Sequence, residues 1–380
     1  MPDRIRVGLV GCGNISGAHL RAYRELSEQF EVVMLCDLSE TKARQKAEEF
    51  GVSQITTRFE DVLENSQIDL VDITTPPYLH AEFSIRAVEA GKMAQCEKPA
   101  GGSLAEVDAM IEAERRTGKW ILPVFNYRFG FGLQRLLYLQ QMGITGRLYL
   151  STVETHWRRP ADYFNIRWRA GWRTALGGAF IGHAIHAHDV LYQVAGAAQS
   201  VFAHAGVLVN PIEVEDTLAV SARMQNGSLA ALSVTFGSAV EISRHRYCFE
   251  HLVAESNTAP YAGHTSDPWQ FLGAAAQDNQ RIQDALAQFT PVPPEGFTGQ
   301  FLRTYRAVRE GGKPPITLID ARRAIELTTA VYYSMHTNQV VELPIGRDHP
   351  YYQSCIPAEA KPLDAWLGEE GVSTWKPTGV

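Results

Sequence analysis

A glycine-rich turn near the start of the chain is the first feature that could do chemistry. It lies between an apolar strand pattern and a helix pattern, the context in which such glycines are informative. A first glycine, Gly11, permits the tight turn, and a second, Gly13, lets backbone N–H groups approach a pyrophosphate at the positive end of the helix. Ser16 stands where a third glycine is usual and affects only helix–strand packing. The turn predicts a dinucleotide site with contacts from Gly11, Gly13, Asn14 and Ile15.

An acidic residue at the end of the second strand pattern indicates which dinucleotide. Asp37 comes 21 positions after Ser16, where a carboxylate can accept hydrogen bonds from the adenosine ribose. The same carboxylate repels a 2′-phosphate, and no arginine or lysine follows before Lys42. The alternative is that Asp37 only caps the helix beginning near Ser39. Together with the glycine turn, Asp37 favours NAD over NADP.

Two further strand patterns end in residues that could face the same cofactor. Thr75, Pro76 and His80 follow one, and Glu97 and Lys98 end another. Ligands of an open parallel sheet lie beyond the carboxyl ends of its strands, so we expect all five in the crevice of the glycine turn. The proline after Lys98 holds the lysine backbone extended, and a lysine fixed toward a nicotinamide can relay a proton. The simpler alternatives are a histidine bonded to backbone and an exposed lysine.

A histidine cluster follows the glycine pair at 177–178. If this segment opens a helix, His183, His186 and Asp189 share one face because they are three residues apart. Such a set could transfer protons at a substrate, bind a metal ion, or only pack and cap a helix. No second cluster in the sequence completes a metal shell, so we expect no metal and favour proton transfer. His188 points elsewhere and is expected to be structural.

Aromatic residues and arginines are dense between residues 156 and 173. Aromatic faces can lie against sugar C–H surfaces while guanidinium groups bind hydroxyls or a carboxylate. The alternative is a solvated loop whose tryptophans pack on a sheet. The pattern favours a substrate larger than a bare polyol, such as a glycoside. The candidate contacts are His156, Trp157, Arg158, Trp168, Trp172 and Arg173.

The hydrophobic pattern predicts the elements that position these residues. In the first third of the chain, strand and helix patterns alternate, as in a parallel sheet covered on both faces. After Gly143 and Gly146 the pattern changes to strands of a mostly antiparallel sheet, with Asn226-Gly227 as a hairpin turn. Strands are predicted at 5–11, 31–37, 69–76, 93–98, 120–126, 147–156, 200–209, 215–223, 228–237 and 245–254. Helices are predicted at 17–30, 39–50, 79–90, 103–117, 132–142, 300–310 and 320–338.

These patterns predict an α/β protein with two domains. An N-terminal Rossmann domain with a parallel sheet would bind NAD at 1–126. A second α/β domain at 127–380, built on a large, mostly antiparallel sheet, would bind the substrate and form oligomers. Residues 256–299, with five prolines, are expected to be a loop-rich surface excursion. A proline-rich tail is expected from residue 343.

Composition and charge argue against several classes of partner. The 380 residues are 45% hydrophobic and 20% charged, with a net charge of -7, and no dense basic run suggests nucleic acid. Five widely spaced cysteines form no Cys-x-x-Cys pair and are expected to be reduced. No apolar run approaches the ~18 residues of a membrane span, and the charged residues at 3–6 leave no room for a signal peptide. We expect a cytoplasmic protein without a membrane partner.

The order of the motifs resembles the Gfo/Idh/MocA oxidoreductases, the family of glucose–fructose oxidoreductase and inositol dehydrogenase. The similarity runs from about residue 5 to residue 344, and the order of its elements is more specific than any one of them. The elements are the glycine turn, Thr75-Pro76 with His80, Ala90-Gly91-Lys92, Glu97-Lys98-Pro99, Asn126-Tyr127-Arg128-Phe129, Gly177-Gly178 with His186 and Asp189, and Val341-Glu342-Leu343-Pro344.

The resemblance implies roles for particular residues. Lys98 would contact a substrate hydroxyl and help to relay its proton, and His186 would be the principal acid and base. Tyr127 and Arg128 join the substrate-binding candidates. The open face of the second sheet often forms the oligomer interface in this family. A homodimer or homotetramer through the C-terminal sheet is therefore expected.

One position departs from the family pattern at the site itself. Many polyol dehydrogenases of the family have an aspartate four residues before the histidine, where this chain has Gly182. Either His183, Arg128 or an arginine linked to a tryptophan would then hold the substrate hydroxyl, or His186 and Lys98 would suffice. His183 is therefore a further catalytic candidate. Pro77 also replaces a more usual asparagine, which would alter only the loop beneath the nicotinamide.

These observations predict reversible, NAD-dependent oxidation of a secondary ring hydroxyl of a sugar, inositol or sugar derivative to a ketone. A small carbohydrate or polyol is thus the expected partner. One alternative is cleavage of a glycoside through transient oxidation by retained NAD, which relatives on this scaffold perform. The other is a non-catalytic protein that senses NAD or a sugar.

Overall fold

The computed structural model describes residues 4–366, and its first sheet has six parallel strands. The strands are β1 (Ile5–Val10), β2 (Phe30–Cys36), β3 (Gln54–Thr56), β4 (Leu70–Ile73), β5 (Met93–Cys96) and β6 (Ile121–Pro123). Their spatial order is β3-β2-β1-β4-β5-β6, so the order reverses between β1 and β4. In such a doubly wound sheet the ligand crevice lies at that reversal, beyond the carboxyl ends of the strands. The predicted Rossmann sheet is confirmed.

Helices cover both faces of this sheet. They are α1 (Ser16–Glu25), α2 (Glu40–Phe50), α3 (Phe59–Glu64), α4 (His80–Glu89) and α5 (Leu104–Thr117). The strands read as continuous apolar runs because both of their faces are buried, and all four residues of β4 are inaccessible to solvent. The short elements β3 and α3 were not predicted, since three and six residues carry too little periodicity.

The second sheet has eight strands and is mostly antiparallel, as predicted. They are β7 (Leu148–Arg158), β8 (Ala198–Gly206), β9 (Thr217–Met224), β10 (Leu229–Thr235), β11 (Gly237–Phe249), β12 (Leu252–Glu255), β13 (Gln270–Gly273) and β14 (Val341–Glu342). Their order is β13-β12-β11-β7-β10-β9-β8-β14, and only β7 and β10 pair in parallel. Gly227, with φ of 85°, lies in the predicted turn between β9 and β10.

One face of the second sheet is buried and the other is open. Strand β9 shows the alternation: Leu218 and Val220 are buried, whereas Ala219 and Ser221 are exposed. The helices that follow the first sheet in the chain are α6 (Phe131–Gln141), α7 (Trp172–Ala175), α8 (Ile185–Ala195), α9 (Ala276–Gln288), α10 (Gly296–Glu310) and α11 (Leu318–Thr337). Helices α8 and α11 pack on the sheet, and no helix within residues 4–366 is long and apolar enough to cross a membrane.

The prediction that residues 256–299 form a loop-rich surface excursion is wrong. The segment contains β13, α9 and the start of α10, and His264 and Trp269 within it are buried. Its prolines stand outside β13 and α9, so they bound these elements without preventing them. The strand predicted at 245–254 is likewise two antiparallel strands, β11 and β12.

Helix α10 returns the chain to the first sheet. Phe301 on α10 stacks on Tyr23 of α1 with ring centroids 4.9 Å apart, in a cluster that includes Ile5 and Phe30. The predicted domain division at residue 126 stays a prediction, but this helix crosses it. The predicted tail contains buried Tyr352 and Cys355, and its residues 367–380 lie outside the described part of the chain.

Candidate active site

A cavity of about 700 Å³ lies between the carboxyl ends of the first sheet and the second sheet. The structure brings every cofactor-binding candidate of the sequence to its wall. They are Gly11, Gly13, Asn14, Ile15, Asp37, Thr75, Pro76, His80, Glu97 and Lys98. These residues come from four separate stretches of sequence, so the strand ends converge as predicted.

The glycine turn leaves open backbone toward this cavity. Gly11 has φ of 98°, and a Cβ there would lie 2.7 Å from the carbonyl oxygen of Thr74. A Cβ on Gly13 would have no heavy atom within 4 Å, so its backbone faces open space. The hydroxyl of Ser16 donates to the carbonyl oxygen of Gly13 at 2.6 Å, where α1 begins. The turn thus fits a pyrophosphate approaching the helix N-terminus.

Asp37 binds the backbone of two loops at the cavity, the glycine turn after β1 and the loop before α2. Its Oδ2 accepts from the N–H of Cys12 at 2.7 Å, and its Oδ1 accepts from the N–H of Ser39 at 2.8 Å. The alternative of a backbone-bonding aspartate is therefore partly right, although Ser39 is the residue that caps α2. Each carboxylate oxygen retains acceptor capacity, because Asp37 is only half-buried and lines the cavity. This arrangement fits the adenosine ribose of NAD.

Lys98 follows β5 and reaches Gly182, three residues before α8. Its Nζ donates to the carbonyl oxygen of Gly182 at 2.8 Å. Burial lowers the pKa of Lys98, Glu97 opposes this shift, and Arg159 adds to it. A Cβ at Gly182 would meet no heavy atom within 4 Å. The space of the missing family aspartate is thus open, and a backbone carbonyl holds the lysine in place of a carboxylate.

His186 faces the cavity from the first turn of α8. Its ring stacks on Tyr127 at a centroid distance of 4.3 Å and meets the edge of Phe125 at 5.9 Å. Its Nδ1 is buried without a hydrogen-bond partner among the described residues, so Nε2 is the nitrogen that can meet a ligand. Burial lowers the pKa of His186 well below its usual value, Lys98 adds to the shift, and Glu97 opposes it. The ring is neutral near pH 7 and can accept a proton.

His183 lies on a single π-helical turn, Phe180–Ala184, just before α8. Its Nε2 is 3.4 Å from the donating Nε of Arg159 and 3.1 Å from the hydroxyl of Tyr163. Because Nε2 accepts from the guanidinium, the proton of the neutral ring lies on Nδ1. Burial lowers the pKa of His183 well below its usual value, and Lys98 reinforces the shift. His183 therefore lies between Gly182, whose carbonyl binds Lys98, and the side chains of Arg159 and Tyr163.

His80 lines the cavity but bonds to backbone. Its Nδ1 lies 2.6 Å from the carbonyl oxygen of Pro99, and its Nε2 lies 2.9 Å from that of Thr75. The ring thereby ties the loop after β4 to the loop after β5. This geometry is the simpler alternative considered for His80, and it orders the two loops that carry Thr75 and Lys98.

The sequence did not single out His19, which connects three of these elements. It is fully buried on α1, 2.8 Å from Asp72 of β4 through Nδ1 and 3.0 Å from Glu97 through Nε2. The other oxygen of Glu97 accepts from the N–H of Lys98 at 3.1 Å. The signal in the sequence was its position: His19 comes three residues after Ser16, in the first turn of the helix that follows the glycine turn.

Four substrate-binding candidates line the cavity: Tyr127, Trp157, Trp168 and His183. Beside them lie residues that were not among the candidate contacts. Arg159, Tyr163, Phe164 and Arg169 come from the same dense stretch, whereas Phe236, Tyr261, Ala262 and Phe297 come from distant segments. Alternation along β7 could have favoured Arg159, since it shares the buried parity of Trp157.

Arg128 does not reach the cavity, contrary to its assignment as a substrate contact. Its guanidinium pairs with Asp189 at 2.5 Å and with Asp320 at 3.1 Å. Asp189 is consequently held by Arg128 and does not face the cavity beside His186. Two carboxylates in a buried setting hold an arginine more firmly than a neutral ligand does.

Four further candidates also lie outside the cavity wall. His156 pairs with the Ser233 hydroxyl at 2.8 Å, and the Trp172 indole donates to the carbonyl oxygen of Glu213 at 3.1 Å. Arg158 points to solvent from β7, and Arg173 is half-buried on α7. Within residues 4–366 no group of three histidine, cysteine or acidic side chains is placed to hold a metal ion.

The fold and the site together define an NAD-dependent oxidoreductase. Residues 5–125 match the model of an oxidoreductase family with an NAD-binding Rossmann fold, and residues 134–248 match the GFO/IDH/MocA C-terminal domain. The chain belongs to the GFO/IDH/MocA family of oxidoreductases.

The chain is similar to known dehydrogenases over most of its length. It is 26% identical over 365 residues to scyllo-inositol 2-dehydrogenase (NAD(+)) of Bacillus subtilis, covering 91% of this chain and 98% of that protein. It is 24% identical over 347 residues to D-apiose dehydrogenase of Paraburkholderia graminis, covering 90% of each. The crystal structure of the WlbA dehydrogenase from Bordetella pertussis, in complex with NADH and UDP-GlcNAcA, superposes with a TM-score of 0.80 at 25% identity, covering 90% of this chain and 100% of that chain. The predictions of family, fold and cofactor are confirmed, and the enzyme acts on CH–OH groups.

Proposed function

We propose that this protein reversibly oxidises a secondary ring hydroxyl of a sugar, an inositol or a sugar derivative to a ketone. The observation that carries the proposal is that Lys98 and His186 line the same cavity as the glycine turn and Asp37. The names of its relatives, which include dehydrogenases of an inositol and of a sugar, support the class of substrate. When bound, NAD supplies the hydride acceptor.

The lysine and the histidine divide the proton transfer. Lys98 donates a hydrogen bond to the reacting hydroxyl, since its amine is already oriented by the carbonyl of Gly182. His186 accepts the proton at Nε2, because its ring is neutral near pH 7 and its other nitrogen is buried. Tyr127, stacked on the imidazole, fixes the plane of the ring. In the reverse direction the same groups return the proton to the carbonyl oxygen.

The aromatic wall opposite Lys98 supports a carbohydrate substrate. Trp157, Tyr163 and Tyr261 surround one side of the cavity, with the guanidinium of Arg159 5.0 to 5.5 Å from the centres of their rings. Such faces exclude water from the reacting carbon and pack on the C–H groups of a sugar ring. This wall offers more area than a small acyclic alcohol would cover.

The test is a screen of sugars, inositols and glycosides for NADH formation, followed by His186→Ala and Lys98→Ala. Each variant is expected to lower kcat by about 10²- to 10⁴-fold, the usual contribution of a positioned proton donor or acceptor. His204→Ala is the matched control, because His204 is exposed on β8 away from the cavity. Turnover of both variants near that of the control would refute the assignment. Consumption of a glycoside without net NADH would instead identify the cleavage reaction.

A further inference from the structure

The cavity wall carries more cations than carboxylates. Lys42 and Asp37 belong to the end where the adenosine ribose fits, and Lys98 stands beside Glu97. Of the two arginines on the wall, Arg159 pairs with Glu241 at 2.6 Å. No carboxylate within residues 4–366 lies within ion-pair distance of the other, Arg169. The wall thus has four cations and two carboxylates. With Arg159 paired to Glu241 outside the wall, Arg169 is left on the substrate side as an arginine without a carboxylate partner in the described part of the chain.

The side chain of Arg169 is held by contacts with Tyr163, but not all of its N–H donors have an acceptor. Its guanidinium carbon lies 4.1 Å from the centre of the Tyr163 ring, and its Nη1 donates to the carbonyl oxygen of Tyr163 at 3.1 Å. Its Nε–H is buried and has no acceptor among the described residues. A buried donor without an acceptor is costly, and it is rare unless a ligand or water completes it. The stacked ring and the carbonyl leave Nη2 as the donor that a ligand can reach, since it has no hydrogen bond among the described residues and, unlike Nε, is not buried.

Arg169 lies one side chain away from the reacting end of the cavity. The Tyr163 ring that supports it carries the hydroxyl bonded to His183 at 3.1 Å. The residue before His183 is Gly182, whose carbonyl holds Lys98. These contacts form a continuous path along the wall from the Lys98 amine, past His183 and Tyr163, to the Arg169 guanidinium.

We propose that Arg169 binds an anionic group, a carboxylate or a phosphate, carried by the sugar whose ring hydroxyl is oxidised. The substrate is then an acidic sugar: a sugar acid, a uronic acid or a sugar phosphate. A guanidinium offers paired N–H donors that match either anion, and Tyr163 supplies the adjoining face for the ring. This inference rests on the proposed dehydrogenase function and adds the class of substrate.

Sets of sugars with one ring configuration test this inference. Each set contains the neutral hexose, its uronate and its 6-phosphate, in the gluco, galacto and manno series. The wild-type enzyme is expected to show about 10- to 100-fold higher kcat/KM for an anionic member than for the neutral one, the range expected of a charge-assisted hydrogen bond. Arg169→Gln should remove that preference, mainly by raising KM for the anion, and should affect the neutral sugar much less than the anionic one. Arg169→Lys, which keeps the charge, should retain part of it.

Arg167→Gln is the matched control. Arg167 lies two positions away on the same short helical segment, is exposed, and donates to the carbonyl oxygen of Ala365 outside the cavity. Its loss changes the net charge equally and should leave the preference intact. The uronate and phosphate arms show which anion the site takes.

Three results of the kinetic comparison would overturn the inference. They are a wild-type preference for the neutral sugar, an equal effect of Arg169→Gln on all members of a set, and a raised KM for NAD in that variant, which would place the guanidinium at the cofactor. Calorimetry of the same sugars with the NADH-loaded protein makes the comparison without turnover. Arg169-dependent binding of an anionic sugar that is never oxidised would uphold the subsite and refute the dehydrogenase function. Absence of any such binding would refute the subsite alone.

Discussion

The buried ring of His19 joins Asp72 and Glu97, and its charge decides what it does for the site. Burial alone would lower the pKa of His19, but the two carboxylates outweigh it and raise the pKa to about 10. The hydroxyl of Tyr23 also donates to Asp72 at 3.0 Å. His19 is thus an imidazolium that neutralises part of two buried carboxylates. Because Glu97 also bonds to the backbone N–H of Lys98, the network positions the lysine.

Replacement of His19 by glutamine should destabilise the protein most below neutral pH. The change leaves Asp72 and Glu97 without their buried cation, which we expect to cost about 3–5 kcal/mol. Since the folded pKa lies above the unfolded value of about 6.5, the contribution is complete below pH 6.5 and is lost as the pH rises through about 10. Urea unfolding of wild type and His19→Gln on both sides of this window measures it. Exposed His204→Gln is the control, and a pH-independent difference would contradict the charged imidazolium.

Parts of the site formed by consecutive residues could be predicted from the sequence. Contacts between residues far apart in the chain could not. The glycine turn and the Glu97-Lys98-Pro99 motif carry their chemistry in consecutive positions. His19 meets partners 53 and 78 positions away, so no local pattern could reveal the network. Arg128 failed as a substrate contact for the same reason: Asp189, which binds it, is 61 positions along the chain.

At the scale of one element, Glu215, which lies two residues before β9, fixes the segment that leads into α8. Its carboxylate accepts from the N–H groups of Gly178 at 2.8 Å and Phe180 at 3.0 Å, and its carbonyl oxygen accepts from Ala179 at 2.9 Å. A Cβ at Gly178 would overlap that carbonyl oxygen. Gly178 therefore permits the contact with Glu215 that fixes the position of the segment carrying His183 and His186.

Gly178→Ala tests whether the close approach of Gly178 to Glu215 stabilises the protein. Its effect on stability must be distinguished from the higher helix propensity of alanine. The added methyl group forces the segment away from Glu215, with an expected loss of about 1–3 kcal/mol and a lower kcat because His186 moves with α8. Gly182→Ala is the matched stability control, since a Cβ there meets no heavy atom within 4 Å and alanine favours helix over glycine by roughly 1 kcal/mol. Denaturant unfolding compares the two variants. Equal stability of both would show that the contact with Glu215 is not limiting.

Element prediction worked where length and periodicity were sufficient. Five of the six strands of the first sheet, all but the three-residue β3, were found because they are buried on both faces and read as apolar runs. Residues 256–299 were misjudged because prolines were counted as evidence of a loop. In the structure these prolines lie outside β13 and α9. The backbone N–H of Ala275, the residue before α9, donates to the Asp278 carboxylate at 3.1 Å. The wall residue Tyr261 lies in this misjudged segment, so the same error hid part of the site.

At the scale of the whole molecule, the two sheets could be predicted but their connection could not. Alternation of strand and helix patterns separates a parallel sheet from an antiparallel one in the sequence itself. The return of α10 to the first sheet depends on Phe301 meeting Tyr23, a contact between distant segments. Phe297 of α10 also lines the cavity and lies 4.9 Å from the ring of His19. The site therefore needs both sheets and this helix.

The open face of the second sheet should hold the protein together as an oligomer. Leu229 of β10 and Leu150 of β7 are adjacent in the sheet register, and they are 48% and 41% exposed beside exposed Ala231 and Ala219. A sheet face with apolar and small side chains buries more apolar surface when it pairs with another copy. Leu229→Glu should lower the mass measured by light scattering toward that of a monomer, with little loss of protomer stability because the side chain is exposed. Met142→Glu, which places the same charge at an exposed residue following α6, should keep the wild-type mass. A monomeric wild type, or an unchanged mass for Leu229→Glu, would exclude this face as the interface.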